Sequence, residues 1–385
     1  MRGMVISAWS RAQLETRHTD LVDQLAVFDD DDVVAVGDGS IDIWDSWPIR
    51  TRDGSIAGVC GHVVWVALAA PSVGDPGLRH DIAEHRAFMY RDARTGGHGS
   101  FDDLGPLFDD GAALGSRQWA GSTVLDGERL TAFYTSAGPG FRQRLAAATA
   151  TVECGAGEPR FVDWSDHVQI LEPDLDRYDA ADQTSGEPGF IKAFRDPFPF
   201  VNPASGEQYL FFTASLAPGA STTDFNGAVG VARRVGDALD DWELLDPVVT
   251  ADGVNNELER PHVVVRDGRY YLFISTQSRT FHPELTAPTG LYGFVADAVL
   301  GPYRPLNGHG TVFVNPPSRP RQTYSWLVLN DLSVVGFVDA YGFDGVAEEI
   351  VLTPARDARR SEFGGTFAPT VRIELDGDRA RLARA

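Results

Sequence analysis

The chain has 385 residues, 43% of them hydrophobic, and a net charge of −22. No apolar run approaches the roughly 20 residues needed to span a bilayer, and such acidity excludes nucleic acid or an anionic membrane surface as the expected partner. Forty glycines and 23 prolines fit many turns better than long helices. One lysine, Lys192, stands among 33 basic residues. That imbalance suits a protein kept soluble in high salt, and equally a GC-rich genome. Cys60 and Cys154 give no disulfide framework, so free thiols are expected, a single bridge being the alternative. Met1 to Arg17 lacks a basic stretch followed by a long apolar one, and no signal peptide is expected in it.

Residues 1–40 read as a lead-in. Ser10 is placed to cap a short helix over Arg11–Glu15, and Trp9 before it reads as a packing anchor. Beyond them helical periodicity disappears. Short alternating segments broken by turn signals take its place.

Aligned, those segments form a repeat. Trp44-Asp45-Ser46-Trp47-Pro48-Ile49 leads through Asp53-Gly54 to a strand at 63–68. Trp119-Ala120-Gly121-Ser122 enters a strand, turns at Asp126-Gly127 and returns at 130–135. Arg195-Asp196-Pro197 runs to Val201 and returns at 209–213. Glu259-Arg260-Pro261-His262 runs to Val265, turns at Asp267-Gly268 and returns at 270–274. Tyr324-Ser325-Trp326 runs to Leu329, turns at Asn330-Asp331 and returns at 334–338. The five units are spaced by roughly 65 to 75 residues. Each is a hairpin with further strand candidates after it, such as 291–295. Five such units predict an all-β, five-bladed β-propeller occupying residues 41–385, with the first strand of each blade lining a central channel. A β-sandwich is the competing architecture, but it would not bring five equivalent positions to one mouth.

In the propeller the strand beginnings converge, and they carry chemistry rather than apolar packing. Asp45, Asp196, Glu257 and Glu259 supply carboxylates; Arg195 and Arg260 supply cations; Trp44, Trp119 and Tyr324 supply aromatic faces. Two close carboxylates run a retaining glycosidase, one as nucleophile and one as acid/base. Aromatic rings stack on sugars and exclude water. Glu257 and Glu259, two apart in an extended segment, face one side, with Arg260 expected beside them. Pro197 is expected to hold Asp196 extended. Each residue alone also has a plain structural reading: an acidic turn, a capping aspartate, a buried ion pair, a core tryptophan.

The ordered set Trp44-Asp45-Ser46-Trp47-Pro48, Trp119-Ala120-Gly121-Ser122, Arg195-Asp196-Pro197, Glu257-Leu258-Glu259-Arg260-Pro261-His262, Gln322-Thr323-Tyr324-Ser325 and Gly364-Gly365-Thr366-Phe367-Ala368-Pro369-Thr370 resembles glycoside hydrolase family 68. That family comprises the levansucrases, inulosucrases and related β-fructofuranosidases. The resemblance runs from Trp9 to Thr370, and its short loops and ending are similar to the Gram-negative type. It implies a funnel-shaped pocket and sucrose as fructosyl donor. By position it implies Asp45 as nucleophile, Glu259 as acid/base and Asp196 as transition-state stabiliser. Trp44, Trp119, Arg195, Glu257, Arg260, Gln277 and Tyr324 would line the substrate site. An extracellular location follows from the resemblance, with the cytoplasm as alternative.

The departures concern neighbours of these residues. Ala120 stands where many members carry a serine that hydrogen-bonds the nucleophile. Thr213 stands in place of a glutamate. Gln277 replaces a histidine or arginine associated with polymer elongation, with Arg279 nearby. Asn256 replaces an aspartate of calcium-binding members, and no metal or other cofactor is expected. Hydrolysis and short fructooligosaccharides are expected to outweigh polymer. The alternatives are a hydrolase of fructan or another furanoside, and a non-catalytic sugar-binding propeller.

Overall fold

The structure is a computed structural model and describes residues 5–17, 22–91, 100–138, 142–155, 157–183, 185–341 and 360–383. Five antiparallel sheets, one per repeat, make the five blades of a β-propeller. The predicted hairpins are the inner two strands of each: Ile41–Pro48 with His62–Pro71, Arg117–Asp126 with Arg129–Ala137, Phe194–Val201 with Gln208–Ser215, Glu259–Arg266 with Arg269–Thr276, and Thr323–Val328 with Ser333–Ala340. The first strands contact one another in that order and close the ring, the fifth meeting the first. The strand expected at 291–295 is Gly290–Ala296, third in blade four.

Leu210, Phe211, Phe212, Leu272, Phe273 and Ile274 run consecutively in second strands and are fully buried. A strand with neighbouring blades on both faces must be apolar on both, so these read as continuous runs rather than alternating ones.

The lead-in is stitched onto blade edges. Ser7–Ala8 pairs in parallel with Val249–Thr250 of blade three, and Asp23–Gln24 pairs in parallel with Phe313–Val314 of blade four. Between them Ser10 caps the helix Arg11–Glu15 in a reciprocal box with Gln13. Trp9 is 2% exposed and packs on Phe281, Tyr292 and Phe294. Among the described residues no helix is long and apolar enough to cross a membrane.

One expectation is overturned. Cys60 and Cys154 form a disulfide, with Cα atoms 5.4 Å apart. Cys60 lies just before blade one's second strand and Cys154 at the end of blade two's third strand, Gln143–Gly155. Ninety-four residues separate them in sequence; only the side-by-side placement of the two blades brings them within bridging reach.

Candidate functional site

Each first strand carries one extra residue near its start. The ladder slips between Trp44 and Ser46, between Arg195 and Phe198, between Glu259 and His262, and between Tyr324 and Leu327. In blade two it slips opposite Tyr134 and Thr135, leaving Ala120 unpaired between Trp119 and Gly121. These are β-bulges, which re-aim side chains at the cost of one ladder pair. Four of the bulge residues have left-handed backbone: Asp45 at φ 38°, Asp196 at 59°, Arg260 at 49° and Ser325 at 60°. Asp196 is therefore not extended as Pro197 suggested; the bulge overrides the proline's preference. Strain of this kind in non-glycine residues gathers at functional sites. In blade two the backbones approach so closely that a Cβ on Gly121 would lie 2.1 Å from Phe133 O.

The bulge breaks the pleat, so two consecutive residues of every blade line one cavity. These doublets are Trp44-Asp45, Trp119-Ala120, Arg195-Asp196, Glu259-Arg260 and Tyr324-Ser325. The cavity holds about 440 Å³. Glu257 and Gln277 line it as well, so all ten residues singled out in the sequence meet there. Trp47 does not: it packs beneath, edge-on to His85.

Arg195 organises the acidic side. Its Nη2 donates to Glu257 Oε1 at 2.5 Å and to Glu259 Oε1 at 2.9 Å, and its Nε lies 3.6 Å from Asp196 Oδ2. The cation between the two glutamates thus comes from blade three. Arg260, expected in that role, points elsewhere, donating to Ser46 O at 2.8 Å, Ser325 O at 2.9 Å and Ser325 Oγ at 2.7 Å. Positive φ at Arg260 turns its side chain out of the line of Glu257 and Glu259. Glu259 also accepts a short hydrogen bond from Tyr324 Oη at Oε2.

Burial pushes the Glu257 carboxyl above its ordinary pKa, opposed by Arg195 and reinforced by Glu259. Burial acts against the Arg195 charge too, but Glu257, Glu259 and Asp196 together hold that guanidinium more firmly protonated than usual. Tyr324 is held well above its usual value by burial and by Glu259, so it is a donor at every working pH.

Asp196 is 7% exposed. Its Oδ2 accepts from Thr213 Oγ1 at 2.8 Å and from the Arg260 backbone at 3.2 Å, while its own N–H donates to Thr135 Oγ1 at 2.9 Å. Burial raises its pKa to about 6; Arg195 and Thr213 pull down, Glu259 and Asp45 push up. It is ionised at neutral pH. Burial likewise raises Asp45, opposed by Arg260 and a hydrogen bond from Ser325. Ala120 offers Asp45 no hydroxyl; Ser325, on the adjoining first strand of blade five, does.

The remaining departures have structural roles. Thr213 bonds Asp196 directly. Arg279 Nε donates to Gln277 Oε1 at 2.9 Å, and both line the cavity. The Asn256 amide holds backbone, accepting from Gly189 N and donating to Ile191 O, each at 3.2 Å.

Sequence reasoning missed Arg79, His80 and Ser325 on this wall. Arg79 and His80 sit on a short 3-10 turn, Pro76–Asp81, between blade one's second and third strands. The Arg79 guanidinium lies 5.4 Å from the Trp44 ring centroid and 4.0 Å from Asp339 Oδ1. The His80 carbonyl accepts from Trp119 Nε1 at 3.0 Å. Asp75-Pro76 is a recognisable turn start, but nothing local says the turn folds over the channel. Ser325 stood beside Tyr324 in the quoted motif; its alignment with Asp45 and Asp196 was the available signal.

Three known proteins are similar to this chain over most of its length. The chain is 35% identical to levansucrase LscA of Pseudomonas savastanoi pv. glycinea, over 88% of this chain and 85% of that protein. It is 31% identical to the levansucrase of Rahnella aquatilis, over 98% and 94%. It superposes on the inulosucrase from Halalkalicoccus jeotgali bound to kestose with a TM-score of 0.87 and 42% identity, over 98% and 95%. Residues 2–227 and 219–385 match the levansucrase/invertase family. The chain belongs to that family, glycoside hydrolase family 68.

Proposed function

We propose that the protein is a retaining fructosyltransferase that takes fructosyl units from sucrose and passes them to water or to sugar hydroxyls. One observation carries the reading: the bulged strand starts of blades one, three and four direct Asp45, Asp196 and Glu259 into a single cavity around Arg195 and Arg260. Family membership and the levansucrase and inulosucrase relatives support sucrose as donor and sugars as acceptors.

In this reading Asp45 attacks the anomeric carbon of the fructosyl unit while Glu259 gives its proton to the departing glucose oxygen. A fructosyl ester on Asp45 results. Glu259, now a carboxylate, takes the proton of water or an acceptor hydroxyl as that oxygen displaces Asp45. Asp196 accepts hydrogen bonds from fructosyl hydroxyls and, ionised, balances charge developing on the ring. Arg195 and Tyr324 orient the two oxygens of Glu259. Trp44 and Trp119 wall the sugar.

Gln277 tied to Arg279, in place of a free cation, supports hydrolysis and short oligosaccharides over long polymer. Chromatography of products from concentrated sucrose tests this, with glucose, fructose and short oligosaccharides expected. High-molecular-weight fructan as the main product would overturn the size proposal. Release from inulin or levan with little use of sucrose would favour the fructan-hydrolase reading. D45A, D196A and E259A should each lose about three or more orders of magnitude in glucose release, as groups acting as a unit do. Near wild-type activity in any of them removes that residue from the mechanism.

A further inference from the structure

At the opposite ends of the first strands, between blades two and three, lies a second cavity of about 270 Å³. Its lining is rich in arginine for so acidic a chain: Arg50, Arg52, Arg129 and Arg234. Three of its carboxylates are Asp53, Asp126 and Asp237. Asp126 is engaged by Arg52 at 3.2 Å, and Asp53 accepts from Thr51 Oγ1 at 2.5 Å and from Ser55 N at 3.0 Å. Arg234 spends its donors on the carbonyls of Gly236, Asp237 and Leu239.

Arg50 is different. It is 6% exposed, and its guanidinium lies over the Phe198 ring at 4.0 Å from the centroid. Stacking occupies one face of the guanidinium, and Arg50 lines the cavity. Nε has no partner among the described residues. The influences on its charge are burial and the like charge of Arg260, which together bring its pKa down to about 9, with no carboxylate opposing them. A guanidinium taken out of water is retained where something neutralises and hydrogen-bonds it. Its planar donor edge matches an oxyanion in paired geometry.

We propose that this cavity binds a small oxyanion of the phosphate type, held by the Arg50 edge from below and by Arg129 at the rim. The volume is near the lower end of small-molecule pockets and admits free phosphate or the phosphate group of a sugar phosphate. The site is separate from the sugar cavity and takes no part in the chemistry there. Its occupant balances the like charges of Arg50 and Arg260, which act on one another, and links blades two and three.

The test is thermal unfolding of the whole chain titrated with inorganic phosphate at constant ionic strength, with chloride as control and a hexose phosphate as second arm. Wild type should show a saturable rise in Tm with phosphate beyond the chloride control. Arg50→Met, which keeps an unbranched apolar side chain beside Phe198 and removes the charge, should abolish it. Arg129→Glu, a change at an exposed position, sets a carboxylate at the rim and should weaken the apparent affinity at least tenfold, which keeps the test decisive if Arg50→Met does not fold. Tighter binding of the hexose phosphate identifies a sugar phosphate as the occupant; equal or weaker binding identifies free phosphate. No saturable response in wild type, or an undiminished one in Arg50→Met or Arg129→Glu, overturns the proposal.

Discussion

The hydroxyl of Thr213 donates to Asp196 Oδ2 at 2.8 Å, from the second strand of the same blade, and accepts from the Arg260 backbone at 3.0 Å. A small neutral donor where a glutamate was the expectation places no further negative charge beside Asp196. The bond favours the ionised carboxylate. Thr213→Val keeps the shape and removes it. The Asp196 pKa, about 6 with the bond in place, should rise. The acid limb of the kcat/KM profile should then move to higher pH. Activity near pH 6 should fall about tenfold or more, as for a lost hydrogen bond to a charged group, and recover partly as pH rises. An unmoved acid limb would show that Asp196 does not control it.

Arg195 donates to both Glu257 and Glu259 through one nitrogen and neighbours Asp196. Removing it leaves several buried carboxylates without their cation, a loss of about 3–5 kcal/mol for a buried pair. Arg195→Leu should therefore lose most of its activity and several degrees of Tm. Arg195→Lys should restore stability better than turnover, because a single ammonium lacks the planar fork. Tm and kcat measured on both variants separate the two effects, and equal recovery of both would contradict the orienting role.

The same buried carboxylate costs stability at neutral pH. The folded pKa of Asp196 is about 6 against 3.8 for the free group. Between those values the native state binds the more protons, so the contribution falls as pH rises from 3.8 through 6 and stays low above. The difference corresponds to about 3 kcal/mol. Asp196→Asn should raise Tm at pH 7–8 while removing activity, and its advantage should vanish below about pH 4. Thermal scans across pH check it.

Buried histidines act in the opposite sense. His262 accepts from Val328 N at Nε2 (2.8 Å) and meets Arg260 O through Nδ1 (2.8 Å), which needs the neutral ring. Burial holds its pKa down at about 3, and that of His85 at about 4. For a base with a depressed folded value, stability is full above the unfolded value of 6.5 and is lost as pH falls below it. His262→Gln should be less stable than wild type at pH 7.5 and should lose less on acidification to pH 5. A parallel loss in both proteins would contradict the assignment.

The Cys60–Cys154 bridge closes a long loop across two blades. Loop-closure entropy assigns such a crosslink about 4–5 kcal/mol. Reduction, or paired substitution to serine, should lower Tm measurably with little change in kcat at 25 °C, since neither cysteine lines the sugar cavity.

Much was legible in the chain itself. Five hairpin repeats, each an apolar strand pair around a turn, follow from local pattern and turn chemistry. Trp9, Ser10 and the ten cavity residues carry signals in their own neighbourhoods and in the spacing of the repeat. Tertiary structure decided what depends on neighbours distant in sequence. It assigned the cation between Glu257 and Glu259 to Arg195 rather than Arg260, gave Asp45 a hydroxyl from Ser325, and joined Cys60 to Cys154. It also turned Asp196 and Arg260 into left-handed bulges against the preference of the prolines after them. Local rules set strand and turn, because those free energies arise within a few residues. Which charge meets which is fixed only when the ring closes and every blade's first strand shares one axis.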